Sequence, residues 1–344
     1  MNDMGFPTHL ISLLSNLYDE QKATIRWNGE HCKYFDINKG VRKGCILSPH
    51  LFSIYTEAVM RKSDIDDMGI KIGGRNLTNL RYADDTALLA NDVTSMKRIL
   101  YRVDTAGKSA NLKLNAKKTK VMHVNGSSAP PKIQINKTDL EYVTHFKYLG
   151  SIKSNDGTCL RDIKSRIAMA KQKMVQLNNI WKDRGIPLVL KIKLLKCLIW
   201  PVVIYGCEAW TLRKQETDKL RAAEMWFYRR LLRVSWTDKR TNESILEELS
   251  INRQLLHEID TRRLRYFGHA NRSTATSLMS TVVMGKVEGK RRRGRPPISY
   301  ISNVVNASGM KMPELVHASR DRRRWHDLTT SHGAPNVDTG EGER

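Results

Sequence analysis

Asn79-Leu80-Arg81-Tyr82-Ala83-Asp84-Asp85-Thr86-Ala87-Leu88-Leu89-Ala90-Asn91 sets two adjacent carboxylates in a segment that otherwise alternates like a half-buried strand. Leu80, Tyr82, Ala87, Leu88 and Leu89 favour a pleated pair, so a tight hairpin with Asp84 and Asp85 at its tip is expected. Hairpin tips usually carry Asn-Gly or Asp-Gly, because the primed turns need positive φ. Asp-Asp has no such advantage and brings two like charges side by side. A hard divalent cation removes that conflict. Oxygen ligands on a rigid turn suit Mg²⁺, the ion that organises two-metal phosphoryl and nucleotidyl transfer. An ordinary acidic turn is the plainer alternative, and the flanking segments decide between them.

Upstream, residues 40–62 read GVRKGCILSPHLFSIYTEAVMRK. This is a glycine-bearing loop, then Ser48 as a helix N-cap, Pro49 as the first helical residue, and an apolar stripe of Leu51, Phe52, Tyr55, Ala58 and Val59. Downstream come the basic segment NLKLNAKKTKVMHV (111–124) and FKYLGSIKS (146–154). In this order the motifs resemble the palm of reverse transcriptases of non-LTR (LINE-like) retrotransposons. The resemblance runs from about Gly5 to about Leu328, through Tyr205-Gly206-Cys207-Glu208-Ala209-Trp210, Arg229-Arg230-Leu231-Leu232-Arg233 and Tyr266-Phe267-Gly268-His269.

The resemblance implies a fold and a set of roles. The fold is α+β: a partial right-hand polymerase palm over 1–158, a helical thumb over 159–240, a basic helical extension over 241–328 and a disordered tail over 329–344. Asp84 and Asp85 become catalytic metal ligands for Mg²⁺. Lys118, in the Asn-x-x-Lys-Thr pattern of Asn115 to Thr119, becomes a general acid for the leaving pyrophosphate. Lys43, Gly44, Ser48, Pro49 and Tyr82 face template and nucleotide, and Tyr148, Leu149 and Gly150 grip the primer. The implied partners are an RNA template, a DNA primer or target, and deoxynucleoside triphosphates.

Two departures qualify this. The family carries another catalytic aspartate in an earlier Phe-x-x-Lys-Ala-Phe-Asp-like block, which would precede Met1, so a fragment truncated at its N-terminus and inactive as it stands is expected. Asp36, in KYFDINKG, is the nearest imitation but directly precedes the loop-helix, where the family has a connecting strand and no ligand. Lys43 replaces the usual Gln, and a cation cannot reproduce the hydrogen bonds of an amide.

Charge supports a polyanionic partner. The 344 residues carry a net charge of +24. Residues 1–100 are nearly balanced at +1, whereas residues 101–200 carry +14 and residues 201–344 carry +9. Such a field favours nucleic acid and makes affinity depend steeply on salt. The most apolar stretch, Cys197 to Cys207, contains Pro201 and is too short to span a bilayer. Five scattered cysteines without a Cys-x-x-Cys pair argue against a disulfide scaffold or a zinc knuckle. They imply a reduced, intracellular setting, in nucleus or cytoplasm.

Helical spacing continues beyond residue 160. One face joins Ile163, Ile167, Ala170, Met174, Leu177 and Trp181, with Gly185 and Pro187 closing it. A second helix spans Leu188 to Ile199, and Leu220, Ala223, Phe227 and Leu231 mark a third. Further helices are expected between Ile245 and Phe267, one bearing Arg262, Arg263 and Arg265. Within GKRRRGRPPIS (289–299), Arg293-Gly294-Arg295-Pro296 resembles an AT-hook core, whose arginines would enter a narrow A·T-rich minor groove. The plainer alternative is a flexible basic linker. The runner-up for the whole chain is a non-catalytic basic nucleic-acid-binding protein or a decayed retroelement reading frame.

Overall fold

The computed structural model describes residues 1–124, 132–274, 277–285, 287–288 and 298–331. Arg293, Arg295 and the tail beyond Ser331 lie outside them. The chain opens with α1 (Thr8–Tyr18), followed by β1 (Lys22–Ala23), β2 (Arg26–Trp27), β3 (Glu30–His31) and β4 (Phe35–Asp36), then α2 (Ser48–Ser63). Next come β5 (Ile70–Ile72), β6 (Arg75–Leu77), β7 (Asn79–Tyr82), β8 (Asp85–Leu88) and α3 (Val93–Ser109). Six further short strands follow: β9 (Lys120–Val121), β10 (Gln134–Ile135), β11 (Thr138–Asp139), β12 (Glu141–Tyr142), β13 (His145–Tyr148) and β14 (Ser151–Ser154). The class is α+β. The described strands pair two by two, without a wider sheet among the described residues.

Two compact units result: Met1–Lys71, Arg75–Ala116 and Ile133–Asp139 form one, and Ile72–Gly74, Lys117–Lys132 and Leu140–Arg344 the other. The first is built where α2 meets α3, around Met60, Ile65, Ile99 and Val103, with Met68, Leu88 and Ala90 packed against them. Asp92 caps α3, its carboxylate accepting from Ser95 N at 2.8 Å. The leucine face of α1 is uncovered: none of its residues is buried, and Leu13 is 64% exposed.

The second unit is helical after β14: α4 (Leu160–Gln176), α5 (Asn178–Lys182), α6 (Leu188–Leu198), α7 (Trp200–Val203), α8 (Lys214–Leu232), α9 (Asn242–Leu249) and α10 (Leu255–Arg272). The predicted helical face runs through α4 into α5, broken at Leu177, and buries Ile163, Ala170, Met174 and Trp181. Leu220, Ala223, Phe227 and Leu231 are all buried on α8. Glu224 is buried with them and satisfies three donors through Oε1: Tyr228 Oη, Gln254 N and Leu255 N, at 2.6–2.9 Å. That anchors the start of α10, where free N–H groups need an acceptor. Four helices complete the unit: α11 (Leu278–Met284), α12 (Tyr300–Ser308), α13 (Met312–Arg320) and α14 (Arg322–Ser331). They pack on α10 through Leu264, Phe267, Val304, Leu315, Ala318 and Trp325. Arg263 differs from its neighbours: it is 2% exposed and donates to Asp260 at 2.8 Å.

Candidate functional site

The carboxylate-bearing hairpin is present but shifted by one residue. Tyr82 pairs directly with Asp85, so the two-residue turn is Ala83-Asp84, and Asp85 begins the return strand. Strand alternation puts Asp85 on the face of Tyr82 and Leu80. Ala83 carries the positive φ that a tight hairpin demands, at +52°. Tyr82, Asp84 and Asp85 are all exposed. On the opposite face, Arg81 donates to Glu57 of α2 at 2.6 Å, tying the hairpin to the loop-helix. Hydrogen bonds from Arg61 and then Arg81 hold the Glu57 carboxyl below its ordinary range.

The loop ahead of α2 also differs in one detail. Ser48 is not the N-cap; Leu47 occupies that position, and Ser48 is the first helical residue. Its hydroxyl donates to the Arg42 carbonyl at 2.6 Å, closing the glycine loop on itself. Nearby, Arg42 donates to the Leu17 carbonyl at 3.1 Å. Gly44 has φ +83°, a left-handed position open to glycine at low cost. Lys43 is exposed beside it, and Pro49 stands in the first turn. Asp36 is an exposed residue on a two-residue ladder, opposite Lys22.

The second unit contains the remaining sequence-predicted residues. Lys118 is exposed in a turn just ahead of β9. Tyr148 ends β13, and Leu149-Gly150 forms the connecting turn, with φ of +47° and +80°. Both values are positive, as a type I′ turn requires, and Leu149 is a strained occupant of such a position. A polar cluster, buried at Asp162 and Arg166 and exposed at Tyr205, holds it there. Tyr205 Oη donates to the Leu149 carbonyl at 3.1 Å, and Arg166 donates to the Gly150 carbonyl. Asp162, 2% exposed, accepts from Ile152 N at 2.9 Å, Ser151 Oγ at 3.0 Å and Trp210 Nε1 at 3.0 Å. The Arg166 guanidinium lies 4.2 Å from the Tyr205 ring centroid. In the sequence Tyr205 and Trp210 stand out only as the ends of the Tyr-Gly-Cys-Glu-Ala-Trp run. Their role shows once the hairpin and α4 are seen together.

Residues 1–152 match the family model described as reverse transcriptase (RNA-dependent DNA polymerase). Over this segment the chain is similar to the reverse transcriptase family. The match contains Asp84, Asp85, Lys118 and Tyr148 to Gly150. A transposon-derived protein of Caenorhabditis elegans is 26% identical over 272 residues, covering 74% of this chain and 96% of its own length. The RNA-directed DNA polymerase from mobile element jockey of Drosophila funebris is 23% identical over 236 residues, 66% of this chain and 25% of that protein. A Pol polyprotein from the type-1 retrotransposable element R2 of Nasonia vitripennis is 27% identical over 130 residues, 35% of this chain and 13% of its own. The chain thus spans about a quarter of the jockey polymerase that it matches. These relatives agree with the resemblance to reverse transcriptases of non-LTR retrotransposons.

Does the Tyr82–Asp85 hairpin make a Mg²⁺ centre? Octahedral Mg²⁺ asks for six oxygens in near-ideal geometry. Asp84 sits in the turn, and Asp85 projects from the strand. Among the described residues no group of three or more His, Cys, Asp or Glu side chains is placed to hold a metal ion. Waters and substrate phosphates complete the shell of one Mg²⁺ held by one or two carboxylates, so the hairpin's pair suits a single ion and falls short for a two-metal centre.

Proposed function

We propose that this chain is a segment of a non-LTR retrotransposon reverse transcriptase that grips nucleic acid and does not polymerise it unaided. The supporting observation is the Tyr82-to-Asp85 hairpin, with carboxylates at and beside its tip, inside residues that match the reverse transcriptase family. In this reading residues 1–158 are palm-derived, 159–240 act as a thumb, and 241–328 are a basic extension. Asp84 and Asp85 are the carboxylates of the polymerase centre, needing at least one further acidic ligand to hold Mg²⁺. Lys118 serves as proton donor to pyrophosphate. Lys43, Gly44, Ser48, Pro49 and Tyr82 line the template and nucleotide side, and Tyr148, Leu149 and Gly150 seat the primer end. The partners are an RNA template and a DNA primer or target, with deoxynucleoside triphosphates for the intact polymerase, in nucleus or cytoplasm. No helix among the described residues is long and apolar enough to cross a membrane.

The grip follows from charge. Phosphate contacts release counterions, so a chain touching about six phosphates loses roughly three decades of affinity between 50 and 200 mM salt. A filter-binding series with duplex and single-stranded probes tests this reading. A flat salt response, or no binding at 50 mM, overturns it.

A further inference from the structure

Helices α10 and α14 of the second unit border a cavity of about 490 Å³, lined among others by Arg265, His269, Arg272, Arg322, Trp325 and His326. No acidic residue lines it. Among the described residues, no carboxylate is ion-paired with any of the three arginines, although neighbouring Arg262 and Arg263 both have such partners. Arg272 is fixed in place, donating to the Ser319 carbonyl at 2.7 Å. Partial burial and the nearby Arg322 charge both lower its pKa. Like charges gathered around one hollow repel each other unless an anion sits between them.

The wall itself is built for close approach. Trp325 is 3% exposed, and its indole Nε1 has no hydrogen-bond partner. The ring lies over Gly268, where any Cβ would overlap it. The Gly268-His269 pair of the Tyr-Phe-Gly-His motif thus has a concrete use: glycine admits the indole, and histidine faces the cavity. Nε1 is the indole atom nearest Gly268, so it lies in that packing, and the arginines are the groups that meet an anion.

We propose that this cavity is a phosphate-binding site that takes a backbone phosphate of a nucleic-acid strand, with Arg265, Arg272 and Arg322 as its cationic contacts. Guanidinium forks match phosphate oxygens in pairs, so arginine suits the site better than lysine. The cavity has room for more than a bare ion, and the strongly basic second half of the chain already favours a polymer. The site rests on the nucleic-acid-binding reading above, and its test separates the two.

The test uses the full chain, the variant R265A/R322A, and a control, R184A/R253A, that removes the same charge from two exposed positions elsewhere in the unit. Duplex affinity is measured across a salt series. The expected result is a log–log salt slope shallower by about two in R265A/R322A, with roughly tenfold or greater loss at 150 mM salt, and a smaller change in the control. R265K/R322K should recover most of the slope. Equal losses in site variant and control overturn the proposal. A parallel titration with inorganic phosphate follows the His269 and His326 ring signals by NMR. If phosphate shifts them saturably while duplex binding is indifferent to R265A/R322A, the site takes a small phosphate and the strand assignment is wrong. If the parent chain binds no duplex, the nucleic-acid reading falls first, and the strand assignment falls with it. The NMR titration then decides whether the cavity binds phosphate at all.

Discussion

Ala83 occupies the turn position where glycine would normally sit. Its φ of +52° carries a penalty that glycine avoids, partly offset by the larger chain entropy glycine loses on folding. Ala83→Gly should therefore raise the unfolding free energy by about 0.5–1 kcal/mol, read as a higher urea midpoint at unchanged m value. A lower midpoint would mean that the turn is not strained. The cysteines give a second residue-scale test. A hydrogen bond from the Leu47 backbone N–H lowers the Cys45 thiol pKa. Burial pushes Cys159 up to about 11 and Cys207 up to about 12. Only the thiolate reacts, so iodoacetamide at pH 8 should label Cys45 well before Cys159 or Cys207, as read by peptide mass spectrometry. Faster labelling of Cys207 would contradict its placement in the core. At this scale the sequence was informative about chemistry and less so about register. The Asp-Asp pair was legible, but the tip lies one residue earlier: Tyr82 pairs with Asp85, and the turn falls on Ala83-Asp84. Ser48 carries a capping residue's signature, yet its hydroxyl closes the preceding loop. Nothing local distinguishes those two uses.

Among the elements, the β13–β14 hairpin depends on one carboxylate. Asp162 accepts three hydrogen bonds, and its removal strands Ile152 N–H, Ser151, Trp210 and the buried Arg166 together. Asp162→Ala should cost about 3–5 kcal/mol, the usual penalty for leaving a buried charge without its partner. Asp162→Asn keeps the shape and one acceptor and should cost less. Tyr205→Phe removes only the bond to the Leu149 carbonyl, worth about 1 kcal/mol. Denaturant titration gives the totals, and hydrogen exchange at the Ile152 amide shows whether the hairpin itself loosens. Unchanged protection in Asp162→Ala would mean that the hairpin stands without α4. The long helices α4, α6 and α8 were legible because a 3.6-residue apolar stripe persists over three or more turns. The Asp162 cluster was not. It joins residues 10 to 48 positions apart, and no periodicity records that. Arg263 is a related case: as one of three arginines on a helix it reads as solvated, yet it is buried beside Asp260.

For the whole molecule, charge asymmetry was the most legible property, since it needs no geometry. The division into units was less so: residues 117–132 go with the helical unit and 133–139 with the first, an exchange that composition does not announce. We propose that this segment holds a primer–template without extending it, because its hairpin brings two carboxylates where a two-metal centre needs a further acidic ligand. Primer extension on poly(rA)/oligo(dT), with Mg²⁺ or Mn²⁺ and with binding verified in the same tube, tests it most directly. The bound primer should stay at its starting length. Extension by the 344-residue chain that disappears in Asp84→Asn would contradict it, and would show that another carboxylate of this chain, Asp36 first among them, completes the centre.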